Sequence, residues 1–409
     1  MKKAFLNNIR RGLGSAYIEL RDCKNKDKYL KTLIFACLHN CAYDLMTEGP
    51  KSYYLYSLIK LYDFDTQKKI RDLIIDSLDI KDSRGLVFQK LDLLMNYYYD
   101  GDKQVLNNIL SYSNTFMEKT ARWDKYRLSA FEIVAIIIDR AFGFKETKKI
   151  LKFLKDKNLN QDYFGWYFDN LGLRYKSKIV KDFLNDSDNE KPKENNYTLD
   201  ILLNSEDRFY ISCYPFRINE NELNKTIEYL KATNNISHVK KILLAFSEEN
   251  SNYHLPVEVC LNLLVKYNEN DEIENLVYDV LEHYKSPIVE KLGLKLIHEN
   301  KYLIHALIMI FSNYSKKYKE IVVQTYKKIS FSFYEYNPIT HETIDFMNHR
   351  RSGYPDEILY INYKKSYDSF CREYIFDVMK KRHLLNQAII EECKYDFEYE
   401  ISSKAKKIN

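Results

Sequence analysis

"PVEVCLNLLVKYNENDEIENLVYDVLEHYKSPIVEKLGLKLI", residues 256–297, holds three apolar runs separated by two short polar breaks. Within each run the apolar residues recur at three- and four-residue spacing, the period of one helix face. In the second break Ser286 precedes Pro287, a capping hydroxyl followed by a proline whose fixed φ suits the first helical position. The stretch therefore predicts three consecutive short helices, each too small to cover its own apolar face. Stacking on neighbours is the remaining way to bury those faces, and that is the requirement of an α-solenoid.

The same period runs through the rest of the chain, in "YYLYSLIKLY" (53–62), "GLVFQKLDLLMNYYY" (85–99) and "AFEIVAIIIDRAF" (130–142). Only 10 glycines and 7 prolines occur in 409 residues, whereas sheet proteins need many tight turns rich in both. One segment reads as a strand, "DRFYISCYPFRI" (207–218), and Pro215 interrupts it. "NDSDNEKPKENN" (185–196) has no apolar side chain to bury and reads as a linker or loop. The expected organisation is an all-α repeat protein in two lobes, residues 1–184 and 199–409, joined by a polar linker at 185–198.

Three segments carry a more specific pattern. "DTQKKIRDLI" (65–74) and "DFEYEISSKA" (396–405) place an aspartate ahead of a β-branched residue. "SPIVEKLG" (286–293) does the same with a serine. In each, that acidic or hydroxyl residue is expected to cap a helix, and the residue four positions past the Val or Ile shares its face. These segments resemble the second helix of a HEAT repeat. The resemblance implies that Arg71 stands at the family arginine, which pairs with an aspartate of the adjacent repeat. Glu290 and Ser402 occupy that position in the other two segments, which removes the basis for such a ladder there. The segment 369–401, "SFCREYIFDVMKKRHLLNQAIIEECKYDFEYEI", is similar to the final repeat of bacterial HEAT-repeat proteins of uncharacterised function. "IRRGLGSAYIEL" (9–20) is similar to their first helix. The resemblance implies a fold and brings no activity with it.

Composition narrows the function classes. The 63 basic and 58 acidic residues leave a net charge of +5, a balance that suits a soluble surface of interspersed charge rather than a dedicated nucleic-acid binder. Seven scattered cysteines, mostly flanked by apolar residues, read as buried reduced thiols. "MKKAFLNNIRR" lacks the apolar core of a signal peptide, and "LIHALIMIF" (303–311) is far short of a membrane span of about 20 residues. A cytoplasmic protein without membrane association is expected.

Motifs that carry chemistry are few. Gly12 and Gly14 in "RRGLGS" suggest a phosphate cradle, but no strand precedes them and no third glycine follows in register. They read as a bend or a close helix crossing. Cys37 and Cys41 in "CLHNC" share a helix face, yet a closed zinc site needs four ligands, so core packing is the reading. His341, Asp345 and His349 in "HETIDFMNH" fall on one helix face. The two histidines stand about 12 Å apart along a straight axis, too far for one ion. Lys145, Lys148, Lys149, Lys152 and Lys155 form a cationic stripe suited to phosphate contacts. No P-loop, Gly-x-Ser-x-Gly or Cys/His signature is present. The expectation is a non-catalytic scaffold without a cofactor, binding a protein or peptide partner on a concave face. The alternative is a nucleic-acid binder using Lys145–Lys155. A distant third reading is a metal-dependent hydrolase built on His341 and Asp345.

Overall fold

The computed structural model describes residues 2–41, 50–120, 123–157, 197–247, 252–282, 284–329, 355–366 and 368–408, with the short pieces 339–340, 343–344 and 346–347. Among the described residues there are helices and turns and no strands. The chain divides into two compact units. One is formed by Met1–Asn189 with Tyr363–Asn409, the other by Glu190–Asn362. The sequence reading placed 199–409 in one lobe; the contacts instead join residues 363–409 to the first unit. The polar stretch 185–196 lies outside the described residues.

The first unit opens with α1 (Lys3–Arg11), α2 (Gly14–Arg21), α3 (Asp27–Leu38), α4 (Ser52–Ile59) and α5 (Phe64–Asp76). It continues with α6 (Arg84–Tyr99), α7 (Gln104–Lys119), α8 (Lys125–Phe142) and α9 (Phe144–Asp156). Helices α6 and α8 lie at its centre. Ten residues of α6 and eleven of α8 are buried, including the run Phe131–Asp139. Helix α6 packs on α4, α7 and α8, and α8 packs on α9, so neighbours in sequence alternate with next-but-one neighbours.

The second unit runs through α10 (Leu199–Asn204), α11 (Arg208–Arg217), α12 (Glu220–Ala232), α13 (Ile236–Phe246), α14 (Val257–Lys266) and α15 (Asp271–Leu281). It then adds α16 (Pro287–Glu299), α17 (Leu303–Ser312) and α18 (Lys319–Lys328). Here α11, α13, α15 and α17 follow one another side by side in one row, α12 packs on α14 beside it, and α14–α15 and α16–α17 form pairs. The apolar run read at 303–311 is the core helix α17, in which Ala306–Phe311 are all buried. Burying each of its large side chains is worth about 1.5–3 kcal/mol. The two units share α19 (Glu357–Lys365), within which the division falls. Helices α20 (Ser369–Lys381), α21 (Gln387–Cys393) and α22 (Tyr399–Lys406) belong to the first unit.

The strand-like segment at 207–218 is helix α11. Residues 210, 211, 214, 215 and 218 are buried, a helical period, and Pro215 sits in the last turn. Capping also departs from the pattern in two of three motifs. Asp63, not Asp65, caps α5 by accepting from the Thr66 N–H. Asp396 is held by Arg372, ahead of an α22 that has no side-chain cap. Ser286 caps α16 as expected, with Pro287 at its first position.

The opening Gly-x-Gly is a crossing point. Gly12 ends α1 in the left-handed region at φ 69° and accepts a hydrogen bond from the Phe397 N–H at 2.8 Å. A Cβ on Gly12 would lie 2.4 Å from the Phe397 Cβ, and one on Gly14 would lie 1.8 Å from the Glu392 carbonyl oxygen. The two glycines thus let residues 392–397 press against the α1–α2 turn.

Candidate functional site

The groove that could hold a ligand lies in the second unit, along the row α11, α13, α15 and the start of α17. Its volume is about 1030 Å³. Its charges are mixed: Lys240, Lys241 and Lys301 stand beside Asp271, Glu272 and Glu274. Lys240 pairs closely with Glu272 across α13 and α15. The Lys241 ammonium donates to the Leu203 and Ser205 carbonyls at 2.9 and 2.7 Å, which fixes it against the wall. Between these charges lie apolar groups, Ile211, Leu276, Tyr302 and Leu244, the last 48% exposed.

The α16–α17 turn shapes one rim of the groove. Asn300 and Tyr302 both adopt left-handed backbone, at φ 55° and 43°. Asparagine tolerates that region, but a tyrosine there is uncommon. The Tyr302 ring packs on Tyr278 with centroids 4.7 Å apart, a contact that holds the residue in place.

Behind the wall lies a compact polar cluster. Asp279 and Glu282 leave the C-terminal end of α15, and His305 enters from the first turn of α17. His305 Nδ1 lies 2.8 Å from Glu282 Oε2 and 3.5 Å from Asp279 Oδ1. The other ring nitrogen, Nε2, donates to Asn275 Oδ1 at 3.0 Å, and Asn275 itself lines the groove. Burial pushes the His305 pKa down, but the hydrogen bond with Glu282 and the charges of Glu282 and Asp279 outweigh it, so the net shift is upward. One donor atom from each of the three residues lies within 4.8 Å of the others, a spacing at which a metal ion could be held.

The residues named from sequence fall elsewhere. Lys145, Lys148, Lys149, Lys152 and Lys155 are all exposed on α9, while Thr147, Ile150, Leu151 and Leu154 of that helix are buried. Lys149 pairs with Glu146 at 2.8 Å. His341, Asp345 and His349 lie outside the described residues. Cys37 and Cys41 are buried free thiols, and Cys23 and Cys213 are the two of the seven that are not buried. Arg71 forms a close ion pair with Asp102, just ahead of α7, and a second with Asp72.

Sequence reasoning passed over Asp279, Glu282 and His305. The available signal was a single histidine in the most apolar helix, "LIHALIMIF", together with an Asp-x-x-Glu spacing at the preceding helix end. Comparison with family models, curated proteins and solved structures finds no match for this chain.

Proposed function

We propose that the chain is a non-catalytic helical-repeat scaffold of HEAT-like, α-solenoid type, and that its second unit holds an extended peptide segment of a partner protein. The observation that carries this is the groove of mixed charge with Leu244 exposed in its lining. A nucleic-acid backbone calls for a continuous positive surface, whereas alternating lysines and carboxylates around an apolar anchor suit a polypeptide. A peptide laid along the row would seat an apolar side chain on Leu244 and Leu276 and pair its own charges with Lys301 and Glu274. The repeat reading draws on the row of next-but-one helix contacts and on the Arg71–Asp102 pair, which joins α5 to the start of α7 as a repeat ladder would.

Panning a displayed library of random peptides against the full chain tests the reading. A consensus sequence should emerge whose affinity falls at least about 10-fold with Leu244→Asp, a loss of about 1.4 kcal/mol. No enrichment, or enrichment indifferent to Leu244→Asp, overturns it.

A second reading rests on the exposed lysine face of α9. If it contacts nucleic acid, affinity falls steeply with salt, and Lys148→Glu with Lys149→Glu and Lys152→Glu flattens that dependence by roughly one unit of slope per lost phosphate contact. Fluorescence anisotropy with a duplex and a single-stranded oligonucleotide measures it, and an unchanged slope removes the reading.

A further inference from the structure

We propose that Asp279, Glu282 and His305 form a binding site for a divalent cation of the zinc class, tying α15 to α17. Two carboxylates and one imidazole are a donor set that suits first-row divalent ions. Ligand bonds of about 2.0–2.2 Å keep the donor atoms of a tetrahedral ion roughly 3.3–3.6 Å apart. Of the two distances from His305 Nδ1, the 3.5 Å to Asp279 lies within that spacing and the 2.8 Å to Glu282 falls short of it. Drawing Glu282 back by roughly half an ångström would seat the ion.

The imidazole is already oriented for the task. Asn275 Oδ1 accepts from Nε2, so the ring's other nitrogen faces the two carboxylates. Metal-bound histidines are ordinarily held through their second nitrogen in this way. The far end of α17 is tied to the same neighbourhood: Ser312 Oγ donates to the Glu282 carbonyl at 2.9 Å and Asn313 Nδ2 to the Tyr284 carbonyl at 2.8 Å. The donors therefore stand on two helices fixed along their length.

Charge favours an ion over a proton. With a proton on Nδ1, one imidazolium faces two carboxylates and the cluster keeps a net negative charge. A helix end opposes even that arrangement. Asp279 and Glu282 sit at the C-terminal end of α15, where the backbone already presents negative potential. A dication bound to a neutral imidazole balances both carboxylates, which one proton does not, and lies against the negative end of α15. Glu282 and His305 side chains are 11% and 13% exposed while Asp279 is 31% exposed, so a water can complete the shell from the Asp279 side.

The site does not depend on the peptide reading. Its test uses the full chain stripped by chelator and titrated with zinc chloride by calorimetry and with cobalt chloride by absorption. One ion per chain is expected, with ligand-field bands for cobalt and no thiolate charge-transfer band. His305→Ala and Glu282→Gln should each weaken binding at least about 100-fold. Asn275→Ala, which removes the orienting hydrogen bond and no donor atom, should weaken it about 10- to 100-fold. The partly exposed Asp279→Asn serves as the ligand variant if a buried one fails to fold, its retained helicity checked by circular dichroism. Failure to bind zinc below about 100 µM overturns the assignment. So does a thiolate band, or binding that is equal in the wild type and in the folded variants.

Discussion

Two seams in this protein use the same kinds of side chain to opposite ends. In the first unit, residues 392–397 meet the α1–α2 turn at Gly12 and Gly14, and Asp396 among them is tied to Arg372 and Tyr363. The Arg372–Asp396 pair has no solvent exposure at all. In the second unit, α13, α15 and α17 meet through Lys240–Glu272, Tyr302 and Asn275–His305, and all of these except His305 border an open groove. At the heart of the first seam the Asp396 carboxylate is fully engaged. Asp396 accepts from Arg372 Nη2 at 3.0 Å, the Tyr363 hydroxyl at 3.0 Å and the Glu398 N–H at 2.9 Å. The second leaves charge and an exposed leucine in contact with water. Polar residues between helices therefore mark a fastening where they are dry and mutually satisfied, and a recognition surface where they are wet.

The largest effect should come from breaking the dry seam. Asp396→Ala takes the paired carboxylate away from the fully buried Arg372 guanidinium and is expected to cost about 3–5 kcal/mol. Replacing both partners, Arg372→Met with Asp396→Leu, removes the buried charge as well and should recover much of that loss. Chemical denaturation of the two variants measures the difference. If the single and double variants lose stability equally, the pair is not what holds the seam.

Gly14→Ala attacks the same seam through its backbone and ranks next. The added methyl would meet the Glu392 carbonyl oxygen, so residues 392–397 must move, at about 1–3 kcal/mol. Cys393 reports the movement. Burial pushes its thiol up to about 12 in the folded protein, and it donates to the Tyr363 hydroxyl at 3.2 Å. At pH 8 it should resist alkylation in the wild type and react faster in Gly14→Ala. Equal rates would mean that the glycine gives no close contact.

How much of this could be read beforehand follows from the range of the interactions. Helix formation was legible because its period is local: α6, α8, α14, α15 and α16 all follow apolar residues three and four apart. The α11 segment was misjudged because "FYISCY" alternates apolar and polar residues, as a strand does. Only the packing of Tyr210, Ile211 and Tyr214 on one face decides between the two. Gly12 and Gly14 read as a bend or a close crossing, with the bend preferred, because the segment they meet begins some 380 residues later. No pattern within a window joins 12 to 397, so the division of the chain into units was hidden with it. The histidine cluster was hidden for the same reason, since Asp279 and His305 come together only when α17 lies beside α15. Lys145–Lys155, by contrast, form a face of one helix, and their exposure could be read directly.

The wet seam should respond far less than the dry one. The Lys240–Glu272 pair is partly exposed, with Glu272 mostly in solvent. Glu272→Gln is therefore expected to cost about 0.2–1 kcal/mol, since screening and side-chain entropy offset most of the attraction. High salt should erase the difference between wild type and variant, because exposed pairs are screened over about 10 Å at 0.1 M. A loss as large as that of Asp396→Ala would make the groove a fastening like the first seam.

Leu244→Asp should be the mildest change to the fold and the most damaging to recognition. The side chain already faces solvent, so its replacement is expected to alter stability by no more than about 0.5 kcal/mol. The same substitution puts a desolvation cost on any apolar group that must sit there, in a groove that already carries Asp271, Glu272 and Glu274. Unchanged denaturation together with lost peptide binding would separate the two seams by function. A substantial loss of stability would instead show that Leu244 belongs to the packing between α13 and α15, and the groove would then be part of the core's edge.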